Sequence, residues 1–249
     1  IDLSVGSTLA LTGAVAATLL ASGTDPILAM GAALLLGLIL GTINGLIITK
    51  GRVAPFIATL ATMTIYRGLT LVYTDGRPVS DLGNSIAFQM MGKGYMLGIP
   101  VPVVTTVLAF AALYFILHHT TFGRRVYAVG GNEEASKLSG INIDRIKIGV
   151  YAITGLLAAV SALILTSRLN SAQPTAGESY ELDAIAAVVL GGTSLNGGRG
   201  WIFGTLVGAL IIGVLNNGMN LIGVSSFFQL VFKGVVILLA VLLDRKKAA

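Results

Sequence analysis

The sequence predicts an all-α protein, a polytopic transmembrane helical bundle of about eight spans, and three observations carry that prediction. Only 11% of the 249 residues are charged, whereas soluble domains carry about 25%. Hydrophobic residues make up 55% of the chain and the mean hydropathy is +0.88, so lipid must cover much of the surface. Apolar runs also recur at about the 20-residue length that crosses a bilayer.

Eight apolar runs follow one another along the chain and are separated by polar connections. The predicted spans cover, in rough bounds, residues 4–20, 27–49, 53–73, 101–117, 146–167, 182–195, 201–217 and 227–243. The run at 182–195 is short and ends in a glycine-rich turn, so we expect a half-helix or a strongly sloped helix there. We expect one transmembrane domain over residues 1–249 and no soluble domain.

Lysine and arginine in the short connections orient these spans, because cytoplasmic loops of membrane proteins carry the excess of positive charge. Two, four, six and eight spans precede the successive basic clusters, so all four clusters can share the cytoplasmic face. The clusters are Lys50 and Arg52; Arg124, Arg125, Lys137, Arg145 and Lys147; Arg199; and Arg245, Lys246 and Lys247. The segments 22–26, 74–100, 168–181 and 220–226 are then expected on the opposite face.

Composition also excludes several classes of function. The chain has no cysteine, which removes disulfides, thiol catalysis and cysteine-based metal sites. Its net charge of +5 does not indicate nucleic-acid binding, because the basic residues sit in the connections between spans. The first residue is Ile1, with no initiator methionine and no basic leader, so we expect a chain truncated at its N-terminus.

The connection 118–147 is too polar to span a membrane and is patterned like a short helix with defined ends. Asn132 can cap the N-terminus, Glu133 and Glu134 fall in the first turn, Lys137 lies near the end, and Gly140 follows it. A free helix of about seven residues is barely stable in water. We therefore expect it to pack against its own bundle or against a partner.

The same segment resembles a known motif. Glu134-Ala135-Ser136, followed by Gly140, resembles the EAA motif of ABC-importer permeases, with Ser in place of the second Ala. The flanking Gly130-Gly131-Asn132 is similar to ribose-type sugar permeases of that class. Similar blocks lie at 1–7, 56–60, 122–124, 171–177, 180–185, 191–195 and 215–218. The resemblance thus covers essentially the whole chain. The family fold has ten spans, and the block at 1–7 matches the start of the third.

The resemblance implies a machine of several subunits in the bacterial inner membrane. The permease would be present in two copies, with a separate cytoplasmic ATPase and an external sugar-binding protein, and the solute would be ribose or a related sugar. The chain itself would hold no cofactor, since ATP would be bound by the ATPase. The residues that would form the ATPase-coupling helix are Gly131, Asn132, Glu134, Ala135, Ser136 and Gly140.

Polar residues inside apolar spans are costly and often functional, so they are candidates for the translocation path. The predicted path residues are Asn44, Arg67, Asp183, Asn216 and Asn217, and Gln229 and Lys233 are further polar residues of this kind. Each could instead bond across a helix interface or reach toward the membrane surface. Three residues of the opposite face are predicted to contact the binding protein, with an ordinary solvated loop as the alternative: Arg77, Glu178 and Glu181.

Other functions were weighed against this one. An intramembrane enzyme is disfavoured because the two histidines, His118 and His119, are adjacent and cannot share one helix face. The turn at 191–200 is rich in glycine, but the chain has no GxxxxGK[ST] pattern, so we expect it to bind no nucleotide. An ion-driven secondary transporter stays open as an alternative, although Asp183 lies near the end of a span and no clear carboxylate lies deep in any span. An ABC permease for another monosaccharide, an autoinducer or a nucleoside also stays open.

Overall fold

The computed structural model describes residues 1–83 and 85–248, and the side chains of these except at 237 and 239–248. The described part of the chain is mostly helical and has one two-stranded hairpin. Its elements are α1 (Val5–Ala21), α2 (Pro26–Thr49), α3 (Pro55–Tyr73), α4 (Ile86–Lys93), β1 (Tyr95–Met96), β2 (Ile99–Pro100), α5 (Val101–His119), α6 (Thr121–Gly131), α7 (Glu133–Leu138), α8 (Ile143–Leu169), α9 (Tyr180–Leu190), α10 (Ile202–Leu221) and α11 (Ser226–Ala248).

Each of the eight predicted spans coincides with one of these helices, which confirms the predicted fold class. Among the described residues, five helices are long and apolar enough to cross a membrane: α2, α3, α5, α8 and α10. Helix α9 has only 11 residues, as expected for a half-helix. The sequence analysis missed α4, the hairpin and α6. The side chains of Arg245, Lys246 and Lys247 lie outside those that the structure describes.

The chain forms two compact units. The first comprises Ile1–Val107 and Asp144–Glu181, and the second comprises Leu108–Ile143 and the residues from Leu182 onward. The first unit therefore holds α1 to α4, the hairpin and most of α8, while the second holds α6, α7, α10, α11 and most of α9. That residues 1–249 form one transmembrane domain stays a prediction.

A glycine seam joins α2 to α8 in the first unit. Gly37, Gly41 and Gly45 recur every four residues on one face of α2. A Cβ added to Gly41 would collide with the carbonyl oxygen of Tyr151, and Gly37 meets Gly155 in the same way. Small residues at this spacing let two helix backbones approach closely in a membrane. The glycines of this seam therefore serve helix packing.

The ends of α2 and α8 agree with the orientation predicted from charge. Lys50, which follows α2, donates a 2.8 Å hydrogen bond to Asp144 at the start of α8. Both side chains are largely exposed, so the pair is an ordinary surface contact that contributes little stability. It places the cytoplasmic ends predicted for these two helices side by side.

The opposite end of the first unit is closed by α4. Phe88 of α4 is buried with Leu82, Leu163 and Ala172 in one apolar cluster. The buried hydroxyl of Ser167 donates to the carbonyl of Phe88 at 2.6 Å and accepts from a backbone N–H of α4. The segment 74–100 was predicted only as a polar connection, but its helix α4 packs against the end of α8.

The segment between α8 and α9 turns back into the helical layer. It begins beside Val79, which exchanges two 2.9 Å backbone hydrogen bonds with Ala172. A few residues later, Gly177 packs directly on Gly6, near the start of α1. The α1 start itself is deep, because Ser4 bonds Asn44, five residues before the end of α2. The sequence analysis had placed the whole of 168–181 at the outer face, and its second half lies deeper than that.

The second unit repeats the close packing seen in the first. Gly208 of α10 lies against the carbonyl of Ala187, and Gly204 lies against Gly191, so α9 and α10 cross with their backbones in contact. The turn that joins them needs glycine, since Gly197 and Gly198 have φ values of +86° and +71°. This is the tight turn that the sequence predicted.

Candidate coupling helix and polar sites

Helix α7 has the two ends that the sequence predicted. At its N-terminus the Asn132 side chain accepts a 2.9 Å hydrogen bond from the N–H of Ala135. At its C-terminus Gly140 has φ +79°, and the next N–H, that of Ile141, donates to the Ser136 carbonyl at 3.0 Å. Capping of both ends explains how a helix of six residues is held.

One side of α7 is free to meet another molecule. Ser136 is the buried residue of the helix and faces the protein. Glu134, Ala135 and Leu138 lie on the other side and are exposed, and Leu138 is 90% exposed. Leu138 thus adds one apolar side chain to an otherwise polar exposed face. The sequence analysis did not name Leu138 among the coupling residues, although its apolar character in a polar helix was visible in the sequence.

The chain segment that leads into α7 packs on the glycine-rich turn at 191–200, between α9 and α10. The Tyr127 hydroxyl donates to the Gly200 carbonyl at 2.9 Å. Gly130 and Gly131 lie against Gly197 and Gly198, and a Cβ added to Gly130, Gly197 or Gly198 would collide with the opposing backbone. The glycines on both sides thus let the backbone before α7 rest directly on the turn between α9 and α10.

Asn44 is the most buried of the predicted path residues. It is 1% exposed, and its amide donates to the Ser4 hydroxyl at 2.8 Å. Its side-chain oxygen accepts from the Tyr66 hydroxyl at 3.4 Å, and that hydroxyl also donates to the Leu40 carbonyl at 3.1 Å. The amide therefore ties α1, α2 and α3 together. A role in the translocation path stays a prediction for this residue.

Arg67 lies on α3 and reaches the re-entrant segment. Its Nη1 donates to the carbonyls of Pro174 and Ala176 at 2.6 and 2.9 Å. Glu178 and Glu181, predicted to contact a binding protein, line the same open cleft of about 490 Å³ as Arg67. The sequence analysis had separated these three residues into a path residue and two docking residues. The structure brings them together.

Asp183 and Lys233 form an ion pair in the second unit. The Lys233 ammonium lies 2.8 Å from Asp183 Oδ2, and the two side chains are 21% and 17% exposed for Asp183 and Lys233 respectively. The other carboxylate oxygen, Oδ1, is buried without a hydrogen-bond partner among the described residues. The sequence analysis named both residues as polar groups in spans but did not pair them, because fifty positions separate them in the chain.

The remaining candidates lie on accessible surface. Asn216 is half-buried and Asn217 is exposed on α10, an otherwise apolar helix. Arg77 is exposed just after α3. The roles of Asn216 and Asn217 in the path and of Arg77 in docking stay predictions. Within the described part of the chain, no group of three His, Cys, Asp or Glu side chains is arranged to hold a metal ion.

A mostly helical chain that has several helices long and apolar enough to cross a membrane and a short polar helix capped at both ends has the architecture of a transport permease. Residues 1–241 match the family described as "Branched-chain amino acid transport system / permease component". The chain belongs to this family of permeases, and it is therefore a transport subunit and not an enzyme.

Similar proteins are named as sugar permeases. The chain is 67% identical over 249 residues to the ribose import permease protein of Bacillus subtilis, covering 100% of this chain and 77% of that protein. It is 57% identical to the ribose import permease of Escherichia coli, covering 99% and 78%. It is 43% identical to the D-allose transport system permease of Escherichia coli, covering 98% and 75%. No solved structure matches the chain significantly.

Proposed function

We propose that this chain is the membrane-spanning subunit of an ATP-driven importer for ribose or a closely related sugar, in the inner membrane of a bacterium. The order of similarity supports ribose: relatives named for ribose reach 67% and 57% identity, against 43% for allose and 41% for L-arabinose. The family description names branched-chain amino acids, but the individual relatives given above are all named for sugars.

The partners we propose are a cytoplasmic ATPase, an external sugar-binding protein and a second copy of the permease. Helix α7 supports the first of these. It is capped at both ends, anchored inward by Ser136 and exposed outward through Glu134, Ala135 and Leu138. A small, rigid surface with one apolar side chain suits a groove on another protein. ATP binds to that partner, and this chain needs no cofactor.

The connection from α7 to the membrane gives the helix a mechanical role. Gly130 and Gly131 rest on Gly197 and Gly198 without intervening side chains. Backbone contacts of this kind cannot yield by rotamer changes, so a displacement of α7 passes directly to the turn between α9 and α10. The permease thus contributes a lever and a path, and ATP hydrolysis takes place in the other subunit.

The experiment that tests the coupling surface is co-purification of the tagged permease with its ATPase. The test variant is Leu138→Arg, which places a charge on the exposed face without altering either cap. The matched control is Leu97→Arg, which changes a 99% exposed leucine at the tip of the hairpin. A second variant joins Glu134→Arg to Gly140→Pro, because proline cannot adopt the φ of +79° found at Gly140.

We expect Leu138→Arg to weaken ATPase retention at least about tenfold, the effect of losing a well-packed interface residue, while Leu97→Arg retains the ATPase. Equal retention by all variants would mean that α7 is not the coupling surface. If the unaltered permease retains no ATPase, an ion-driven transporter becomes the better explanation. Uptake of labelled ribose, with allose and arabinose as competitors, by the reconstituted complex then tests the sugar.

A further inference from the structure

The cleft beside the re-entrant segment is more polar than its position in the bundle explains. Among the residues that line its roughly 490 Å³ are Ser7, Thr64, Arg67, Glu178, Ser179 and Glu181. Its volume falls within the range of about 300–1,000 Å³ that is usual for small-molecule sites. Apolar side chains such as Leu71 complete the lining.

The depth of the cleft follows from the helix geometry. Arg67 is twelve residues from the start of α3 and six from its end, which places it about 18 Å along the helix from its first residue, the end that we predict to be cytoplasmic. Charged groups at such a depth do not face lipid without a large cost. Irregular backbone such as 170–179 is likewise tolerated there only if it is buried in protein or lines a water-filled space. Both features indicate that water reaches the cleft.

The cleft is lined by groups that can donate hydrogen bonds and by groups that can accept them. Two backbone carbonyls hold the Arg67 guanidinium in place through Nη1, and a guanidinium carries further N–H donors besides these. Glu181 packs closely on Gly6: a Cβ added to Gly6 would lie 2.8 Å from Glu181 Oε2. When ionised, the carboxylates of Glu178 and Glu181 only accept hydrogen bonds. The Thr64 hydroxyl donates to the Leu60 carbonyl at 3.2 Å, so it offers an acceptor to the cleft.

We propose that this cleft is a transit site for a neutral polyhydroxylated solute, bound through its hydroxyl groups by Arg67, Glu178, Glu181 and Thr64. The inference deepens the proposed function and rests on it. Hydroxyl groups both donate and accept, so they match a lining of carboxylates and one guanidinium. Two acids against one base leave an excess negative charge, which disfavours anionic solutes. The open shape suits a site that releases its solute again.

The absence of cysteine permits a test that does not depend on transport. In the assembled importer, the single-cysteine variant Thr64→Cys is exposed to a charged, membrane-impermeant thiol reagent. The control is Ala111→Cys, an exposed alanine near the middle of the apolar helix α5. We expect Thr64→Cys to react at least about tenfold faster, because the reactive thiolate forms in water and is suppressed in an apolar setting. Millimolar ribose should slow that reaction.

Carboxylate variants test the contacts themselves. Glu178→Gln and Glu181→Gln keep the shape of the side chains, and Asp81→Asn in the exposed outer loop is the matched control. We expect ribose uptake by the two site variants to fall about tenfold, as on loss of a hydrogen bond to a charged group, with ATPase assembly retained. We also expect the preference for ribose over 2-deoxyribose to change, which a merely structural role would not produce.

The outcomes separate the two proposals. Equal reactivity of Thr64→Cys and Ala111→Cys, or unchanged uptake and unchanged sugar preference in both glutamine variants, overturns the transit site even if the permease imports ribose. If the unaltered complex imports no ribose but another neutral polyol protects Thr64→Cys, the proposed sugar is wrong and the site stands. Protection by the second permease copy alone, without any sugar, would make the cleft a dimer interface and overturn the proposal.

Discussion

The ion pair between Asp183 and Lys233 allows a quantitative test of how much a partly buried charge pair contributes to the stability of the second unit. The perturbation is Lys233→Met, which keeps the length and apolar stem of the side chain and removes the ammonium. The Nζ–Oδ2 distance is 2.8 Å and both side chains are about four-fifths buried. Oδ1 has no partner among the described residues, so loss of Lys233 leaves the described surroundings of the carboxylate without a hydrogen-bond donor.

The expected magnitude follows from these distances. At an effective dielectric constant of about 20, the attraction across 2.8 Å is about 6 kcal/mol, and removal of both charges from water costs a similar amount. The intact pair therefore contributes little net stability. Breaking it by removing one partner costs about 3–5 kcal/mol, because one charge stays buried alone. We expect Lys233→Met and Asp183→Leu each to destabilise the permease by that amount.

The assay is a double-mutant cycle with thermal unfolding of the purified permease in detergent as the readout. A loss of about 3 kcal/mol lowers the Tm of a protein of this size by about 6–12 °C. The double variant Asp183→Leu with Lys233→Met should recover most of the loss, giving a coupling free energy of about 3 kcal/mol or more. Independent, additive losses from the two single variants would refute the pairing.

Two further predictions concern helix packing in the first unit, measured by the same thermal unfolding. Gly41→Ala should destabilise the permease by about 1–3 kcal/mol because its Cβ would collide with the Tyr151 carbonyl. The control is Gly31→Ala on the same helix, where the added Cβ meets open space and should stabilise the helix by about 0.5–1 kcal/mol. Equal effects of the two variants would show that the seam does not form. Ser167→Ala should lose about 1–3 kcal/mol, since it removes the two hydrogen bonds that join α8 to the backbone of α4. Ser161→Ala, at an exposed position, should change stability by less than about 0.5 kcal/mol.

The long helices and the caps of α7 were predictable because their causes are local. An apolar run of about 20 residues has few alternatives to a membrane helix, and Asn132 and Gly140 act on backbone groups within a few positions of themselves. The orientation taken from Lys50 and the other basic residues rests only on the order of spans and stays a prediction. The apolar runs and the helix caps depend on residues that lie close together in the sequence.

The depth of the segment before α9 was not predictable in this way. Its polar residues and its prolyl turn have the composition of a surface loop. What draws it inward is contact with distant parts of the chain, through Gly177 on Gly6 and the Pro174 carbonyl on Arg67. Helix α6 was missed for a different reason, since glycine at three of its eleven positions argues against a helix until the turn that it packs on is known.

The glycine seam between α2 and α8 also limits how the first unit can deform. Two helices whose backbones touch at Gly37, Gly41 and Gly45 cannot slide by a fraction of a turn, because the flanking side chains on each side would have to pass through the opposing main chain. The pair therefore resists sliding, and α2 and α8 translate and tilt as one rigid unit. Conformational change during a transport cycle is then expected in the connections at the two ends of α2, at 22–25 and 50–54.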